Sequence, residues 1–332
     1  MKNPFYYVII QNVIIYTYSK GEIIMIKKEF TFPSVSGLAD IHAASFFPEN
    51  KEVQVVLQIA HGMAEHLERY EPFAEVLCEN GIAVYINDHL GHGKSVKNDD
   101  ELGYFGEKAG WKNFIGDCYR LTRIAKDENP GKPIIFFGHS MGSFVARAYC
   151  LEYANDIKGA VFCGTAGPNP AAGMGSLIAS AIGKIKGEHY RTKLVDKIAF
   201  GSYNNKFEQR TAFDWLSRDE FQVDKYVADK YCGFLFTAYG YRDLTSLLGF
   251  VSGKNWFESL DKELPVLMIS GAMDPVGNFG KGVDQVHAKL LEAGKKNLKK
   301  ILYPDGRHEI LNESALFDKV CEDVIAWIKE TV

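Results

Sequence analysis

Apolar positions along the chain fall into short dense runs separated by longer segments whose apolar residues recur at helical spacing. Eight runs read as strands, near residues 26–32, 39–47, 53–59, 82–87, 133–137, 159–163, 265–270 and 300–303. Several of them, such as Val55-Val56-Leu57 and Val266-Leu267-Met268-Ile269, are apolar at successive positions, as strands buried on both faces are. Helical patterns fill most of the gaps from Phe73 onward. Alternating strand and helix predicts an α/β fold, a mostly parallel eight-stranded sheet with helices on both faces. The first two strands lie too close for a helical crossover and are expected to pair antiparallel.

The interval 165–264 is too long for one crossover. It holds helix-competent segments rich in glycine, leucine and aromatic residues, among them Gly173–Gly183 and Phe234-Leu235-Phe236-Thr237-Ala238-Tyr239. This predicts a helical cap inserted after the sixth strand, with residues 25–164 and 265–332 forming the core. Residues 1–24 stand apart as an N-terminal extension. The apolar run 5–18 is broken by Gln11 and Asn12, is shorter than the ~20 residues of a spanning helix, and lacks a small-residue cleavage site. A purine-rich stretch encoding Lys20-Gly21-Glu22 would suit a ribosome-binding sequence, so a start at Met25 is the favoured reading, with a membrane-associated segment second.

Composition narrows the class. The chain has 332 residues, 46% hydrophobic and 24% charged, with a net charge of -4 and no basic block, so nucleic acid is not an expected partner. Six cysteines are scattered without a C-x-x-C spacing and read as reduced thiols of a reducing, cytoplasmic compartment.

The chemistry begins at Gly138-His139-Ser140-Met141-Gly142, a G-x-S-x-G pentapeptide between a predicted strand and a predicted helix. That setting is a nucleophile elbow, which leaves the serine at the tip of a sharp turn. A serine hydroxyl needs a base, normally histidine, oriented by a carboxylate. In this chain order the carboxylate precedes the histidine, each after a late strand. Asp274 in Ala272-Met273-Asp274-Pro275 and His308 in Gly306-Arg307-His308-Glu309 fill those places. Asp305 and Glu309 compete with Asp274 but come off no separate strand end.

The third strand runs into His61-Gly62-Met63-Ala64-Glu65-His66, where such a fold draws an oxyanion donor. The backbone N–H groups of Met63 and Met141 are the expected pair. After the fourth strand, Asp88-His89-Leu90-Gly91-His92-Gly93 reads as a tight turn bracing the site; a metal site there is disfavoured for want of a further cluster at ligand spacing.

Together with Tyr70 and Gly271-Ala272-Met273-Asp274-Pro275-Val276, these motifs make the chain resemble the α/β-hydrolases of the monoacylglycerol lipase and lysophospholipase group, also described as serine aminopeptidase-like. The resemblance implies hydrolysis of single-chain lipid esters or other carboxylic esters through an acyl-enzyme, with Ser140, Asp274 and His308 as triad and no metal or organic cofactor. It implies a small lipid or ester substrate and transient contact with a membrane surface. The region 171–257 departs from the better-known members, and Leu177, Ile178, Phe234, Phe236 and Tyr239 are taken from its apolar content as pocket lining. Two alternatives remain: an aminopeptidase, whose substrate amine would need carboxylates such as Asp214, Asp219, Glu220 and Asp224, and a non-catalytic binding protein on the same fold.

Overall fold

A computed structural model describes residues 6–10, 13–17 and 23–332, with side chains from residue 25 onward. Its strands are β1 (Tyr6–Ile10), β2 (Val13–Thr17), β3 (Ile23–Pro33), β4 (Asp40–Pro48), β5 (Val55–Ala60), β6 (Ile82–Asn87), β7 (Ile134–His139), β8 (Gly159–Cys163), β9 (Val266–Gly271) and β10 (Leu298–Tyr303). They form one sheet in the order β1-β2-β3-β4-β6-β5-β7-β8-β9-β10. β5 to β10 pair parallel, whereas β1 to β4 form an antiparallel meander joined to β6 through β4.

All eight expected strands are present, but among the described residues the sheet has ten. β1 and β2 add at the free edge of β3. Strand–helix alternation does not reveal them, because antiparallel neighbours need only a tight turn between them.

The helices are α1 (Glu71–Glu79), α2 (Trp111–Glu128), α3 (Met141–Glu152), α4 (Ala172–Lys186), α5 (Lys193–Phe200), α6 (Glu220–Ala228), α7 (Ala238–Ser252), α8 (Lys254–Ser259), α9 (Lys281–Glu292) and α10 (Phe317–Thr331). Strand residues alternate between two cores. Val56, Ile134, Phe136, Ala160, Phe162, Val266 and Met268 face α2, α3, α8 and α9. Leu57, Ile59, Ile135, Phe137, Val161, Leu267 and Ile269 face α1 and α10. This two-sided burial is why the central strands carry no polar alternation.

Helices α4 to α8 lie between β8 and β9, where the cap was expected. α8 turns back onto the core: Trp256 is buried, donates its indole N–H to the Arg147 carbonyl at 2.7 Å and lies under the Arg147 guanidinium. Side-chain caps start α5, α6 and α7 at Thr192, Asp219 and Thr237, each accepting a backbone N–H of the first turn.

Candidate active site

The sheet changes winding direction at β5, with β6 on one side and β7 on the other, both parallel to it. Loops beyond the carboxyl ends of two such strands diverge and leave a crevice. Ala60, the last residue of β5, pairs with Gly138 of β7, so the His61-Gly62-Met63 turn and the serine elbow leave the sheet side by side.

Ser140 sits at φ 54° and ψ -120°, immediately before α3. This backbone is strained for an L-residue by about 1–3 kcal/mol, and the surroundings hold it there. Its N–H donates to the Cys163 carbonyl at 2.9 Å, and its carbonyl accepts the Ser143 N–H at 2.8 Å. A Cβ at Gly138 would come within 2.1 Å of the Gly142 carbonyl, and one at Gly142 within 2.0 Å of the Ala60 carbonyl. Both glycines are therefore required by close backbone approach. The Met141 N–H, in the first turn of α3, has no intrahelical partner and is free to meet an anion.

His308 Nε2 lies 2.8 Å from Ser140 Oγ, and His308 Nδ1 lies 3.0 Å from Asp274 Oδ1. The second is a close approach whose angle falls outside hydrogen-bond geometry. Such contacts in free enzymes often align only when substrate binds. Asp274 is fully buried and is fixed by the Val276 N–H at 2.8 Å and the Ser270 hydroxyl at 3.2 Å. His308 is 2% exposed, with the Trp215 ring of the cap 5.2 Å away. The Glu309 N–H donates to the Leu216 carbonyl at 2.8 Å, so the cap is hydrogen-bonded directly to the histidine loop.

The oxyanion side is built by a buried histidine. His61 Nε2 accepts the His89 N–H at 2.9 Å, which leaves the ring proton on Nδ1, donating to the Gly62 carbonyl at 2.8 Å. The Gly62 carbonyl and the Met63 N–H belong to one planar trans peptide and point oppositely. Fixing the carbonyl therefore aims the N–H. Burial, the largest influence, and His66 lower the His61 pKa against Glu65 and Asp88, keeping the ring in the neutral form this arrangement needs.

Glu65 was not recognised from sequence as more than part of the motif. Its Oε1 accepts the Gly62 N–H at 2.6 Å and the Tyr70 hydroxyl at 3.0 Å, and its Oε2 accepts Arg69 at 2.7 Å. Arg69 also makes a bidentate pair with Glu309 at 2.7 and 2.6 Å. The oxyanion turn and the histidine loop are thus joined through one guanidinium. Burial opposes the Glu65 charge, but Arg69 and His139 outweigh it and hold the carboxyl well below its ordinary range. His139 bridges the same two loops, from Glu65 Oε1 at 3.2 Å to the His308 carbonyl at 3.3 Å. Both partners accept, so both ring nitrogens carry protons. Burial works against that charge, and Glu65 with Glu309 raises the His139 pKa in spite of it. Glu65 and Arg69, four residues apart, were a legible pair; Glu309, 240 residues from Arg69, was not.

Asp88 braces the neighbouring turn, accepting the Leu67 N–H at 2.8 Å and the Lys94 N–H at 2.9 Å and lying 3.0 Å from His42 Nδ1. His92 packs among Phe105, Phe114, Phe234 and Phe236.

Ser140, His308, Gly62, Met63 and Met141 open on a cavity of about 730 Å³ lined on its other side by residues of the segment between β8 and β9. Of the five expected lining residues only Phe234 reaches it. Phe236 is fully buried among core aromatics. Leu177 is 71% exposed, Ile178 is exposed beside it, and Tyr239 packs on Gly183 and Arg242. The cause is the close approach of α4 and α7. A Cβ at Gly183 would come within 2.4 Å of the Tyr239 ring. Small residues Ala179 and Gly183 therefore take the inner face of α4, and Met174, Leu177 and Ile185 turn outward.

Residues 51–315 match the family model described as serine aminopeptidase, S33. The chain belongs to this family, within the α/β-hydrolases of the monoacylglycerol lipase-like group. It is a carboxylic ester hydrolase. It is 27% identical to a monoacylglycerol lipase of Mycolicibacterium smegmatis over 91% of this chain and 97% of that one. It is 23% identical to the monoglyceride lipase of Homo sapiens over 83% of each chain. A thermostable carboxyl esterase from Bacillus coagulans, solved with glycerol, superposes with a TM-score of 0.85 at 29% identity, covering 92% of this chain and 98% of that one.

Proposed function

We propose that this hydrolase cleaves single-chain carboxylic esters, monoacylglycerols or lysophospholipids, through a covalent acyl-Ser140 intermediate. The observation that carries the reading is the strained Ser140 with its hydroxyl 2.8 Å from His308, itself 3.0 Å from a buried carboxylate, at the floor of the capped cavity. His308 Nε2 takes the Ser140 proton as Oγ attacks the ester carbonyl. Asp274 keeps the other ring proton on Nδ1 and stabilises the imidazolium. The N–H groups of Met63 and Met141 meet the charge on the carbonyl oxygen. The tetrahedral intermediate collapses, His308 protonates the leaving alkoxide, and the alcohol departs. Water then attacks the acyl group with His308 as base, releasing the acid and restoring Ser140.

The apolar lining, including Phe144, Phe213, Leu216, Phe234, Leu244 and Leu248, suits one acyl chain. Asn169, Asn205 and Thr245 supply polar lining that suits a small head group. An aminopeptidase would need a free carboxylate for the substrate amine. Glu65 and Glu309 in the lining are bound to Arg69, and Asp196 accepts the Tyr241 hydroxyl at 2.7 Å. Asp214, Asp219, Glu220 and Asp224 line no part of the cavity; they serve cap turns, the start of α6 and Arg210.

The outer face of α4 and α5 exposes Met174, Leu177, Ile185 and Leu194, flanked by exposed Lys184, Lys186, Lys193 and Lys197. That combination suits transient docking on an anionic membrane surface. No helix of the described residues is long and apolar enough to cross a membrane. The test is kcat/KM across monoacylglycerols, lysophospholipids, short p-nitrophenyl esters and aminoacyl amides. A monoacyl ester is expected to rank first; an aminoacyl amide ranking above all of them would replace the lipase reading.

A further inference from the structure

Three potential metal ligands meet across the seam between cap and core. His66 follows the oxyanion turn, whereas Asp229 and Cys232 belong to the cap turn after α6. His66 Nε2 is 2.8 Å from Asp229 Oδ2, and one donor atom from each of the three residues lies within 4.8 Å of the other two. The cap residues are held in a chelating turn. The Cys232 N–H donates to the Asp229 carbonyl at 3.1 Å, and Asp229 Oδ1 accepts the Tyr231 N–H at 2.8 Å, which leaves Oδ2 facing His66. The seam is pinned beside them, where the Gly233 N–H and the Tyr226 hydroxyl each donate to the Ala64 carbonyl at 3.0 Å. His66 and Cys232 are buried, and the half-buried Asp229 leaves a way in from solvent.

We propose that His66, Asp229 and Cys232 bind one borderline-soft divalent cation, of which Zn²⁺ is the best match, and that the bound ion staples the cap to the oxyanion turn. Imidazole, carboxylate and thiolate are the three ligand types Zn²⁺ takes, in tetrahedral sites whose donors stand about 3.3–3.6 Å apart. Opening the 2.8 Å His66–Asp229 contact and closing the widest separation by about one ångström reaches that geometry, with water in the fourth position. Zn²⁺ displaces the Cys232 thiol proton to solvent; the Nε2 proton that His66 gives to Asp229 leaves that nitrogen as the contact opens, so that Nε2 ligates with Nδ1 protonated; and nothing is oxidised or reduced. Burial raises the thiol pKa and the ion offsets it on binding; nearby Arg69 favours the thiolate and is itself answered by Glu65 and Glu309. The proposal rests on none of the catalytic assignments.

The test is titration of the chelator-stripped full chain with Co²⁺, followed by Zn²⁺ displacement. The expected result is one equivalent bound, with a thiolate-to-cobalt charge-transfer band that Zn²⁺ removes and a melting temperature that Zn²⁺ raises. Cys232→Ser should lose the band and the thermal shift while hydrolysing esters as the parent does. Asp229→Asn, at the accessible ligand, should weaken Co²⁺ binding at least tenfold and gives an independent reading if the cysteine variant does not fold. No charge-transfer band at one equivalent, or a band and thermal shift undiminished in both variants, would overturn the site.

Discussion

Ser140 shows how far a single residue can be read before its surroundings are known. The pentapeptide and its flanking elements identify it, and close backbone approach around the sharp turn explains why those flanks carry glycine. Ser140→Ala should abolish ester hydrolysis while leaving the melting temperature within a degree or two, because the hydroxyl serves His308 rather than the fold; residual turnover near the parent level would remove Ser140 from the mechanism. Glu65 carries a different load. Glu65→Gln keeps the shape but leaves Arg69 with one carboxylate and His139 with none. Loss of a preorganised oxyanion donor costs about two to three powers of ten in rate, and a turn only loosened should cost less. We expect kcat to fall roughly tenfold to a hundredfold with KM little changed, and the melting temperature to drop. Steady-state kinetics with a soluble ester decides it: an unchanged kcat would show that the network supports the fold alone.

Among elements, α3 and α4 contrast. The start of α3 presses on the end of β5, so Gly142→Ala must push the Ala60 carbonyl aside. Overpacking of this kind costs about 1–3 kcal/mol or more, and against backbone the upper end applies. The variant should melt well below the parent or fail to accumulate as folded protein. On α4 the expectation from apolar content misleads, because the helix packs through its smallest side chains. Leu177→Ser should therefore leave the fold within about 0.5 kcal/mol and leave turnover of a soluble short ester intact, while weakening sedimentation with anionic vesicles. Phe234→Ala should instead lower kcat/KM for long-chain esters. Equal effects of the two substitutions on kcat/KM for a long-chain ester presented without vesicles would contradict this division into an inner and an outer face.

At the scale of the whole molecule, buried histidines set the response to acid. His89 and His92 are buried with depressed pKa values, His92 at about 3, chiefly through burial and then the neighbouring His61. In the unfolded chain they would bind protons near 6.5. Below that pH the unfolded state binds more protons than the folded one, so stability falls as pH drops, by up to about 1.4 kcal/mol per unit for each histidine. His139 runs the other way, with a raised pKa whose contribution is full below 6.5 and lost as pH rises through its folded value. Below 6.5 His139 is protonated in both states and adds no slope, whereas His89 and His92, joined by the depressed His61, do, so the melting temperature should begin to fall below about pH 6.5. His92→Phe, in its aromatic surroundings, should flatten that slope; an identical pH profile would exclude His92 as a contributor.

Features whose signals are local were legible along the chain. Strand runs, the elbow pentapeptide and the order of Ser140, Asp274 and His308 all depend on neighbours a few residues away or on chain order, and the fold class followed from strand–helix alternation. Contacts made across the chain were decided by the tertiary structure alone. Arg69 meets Glu309 because the loops after β5 and β10 leave the same end of the sheet, and Trp215 approaches His308 and His66 meets Asp229 and Cys232 because the segment between β8 and β9 folds back over the crevice. Which face of α4 lines a cavity was equally illegible. Periodicity locates an apolar face, but whether that face turns inward depends on how closely the next helix approaches, and here Gly183 against Tyr239 decides it.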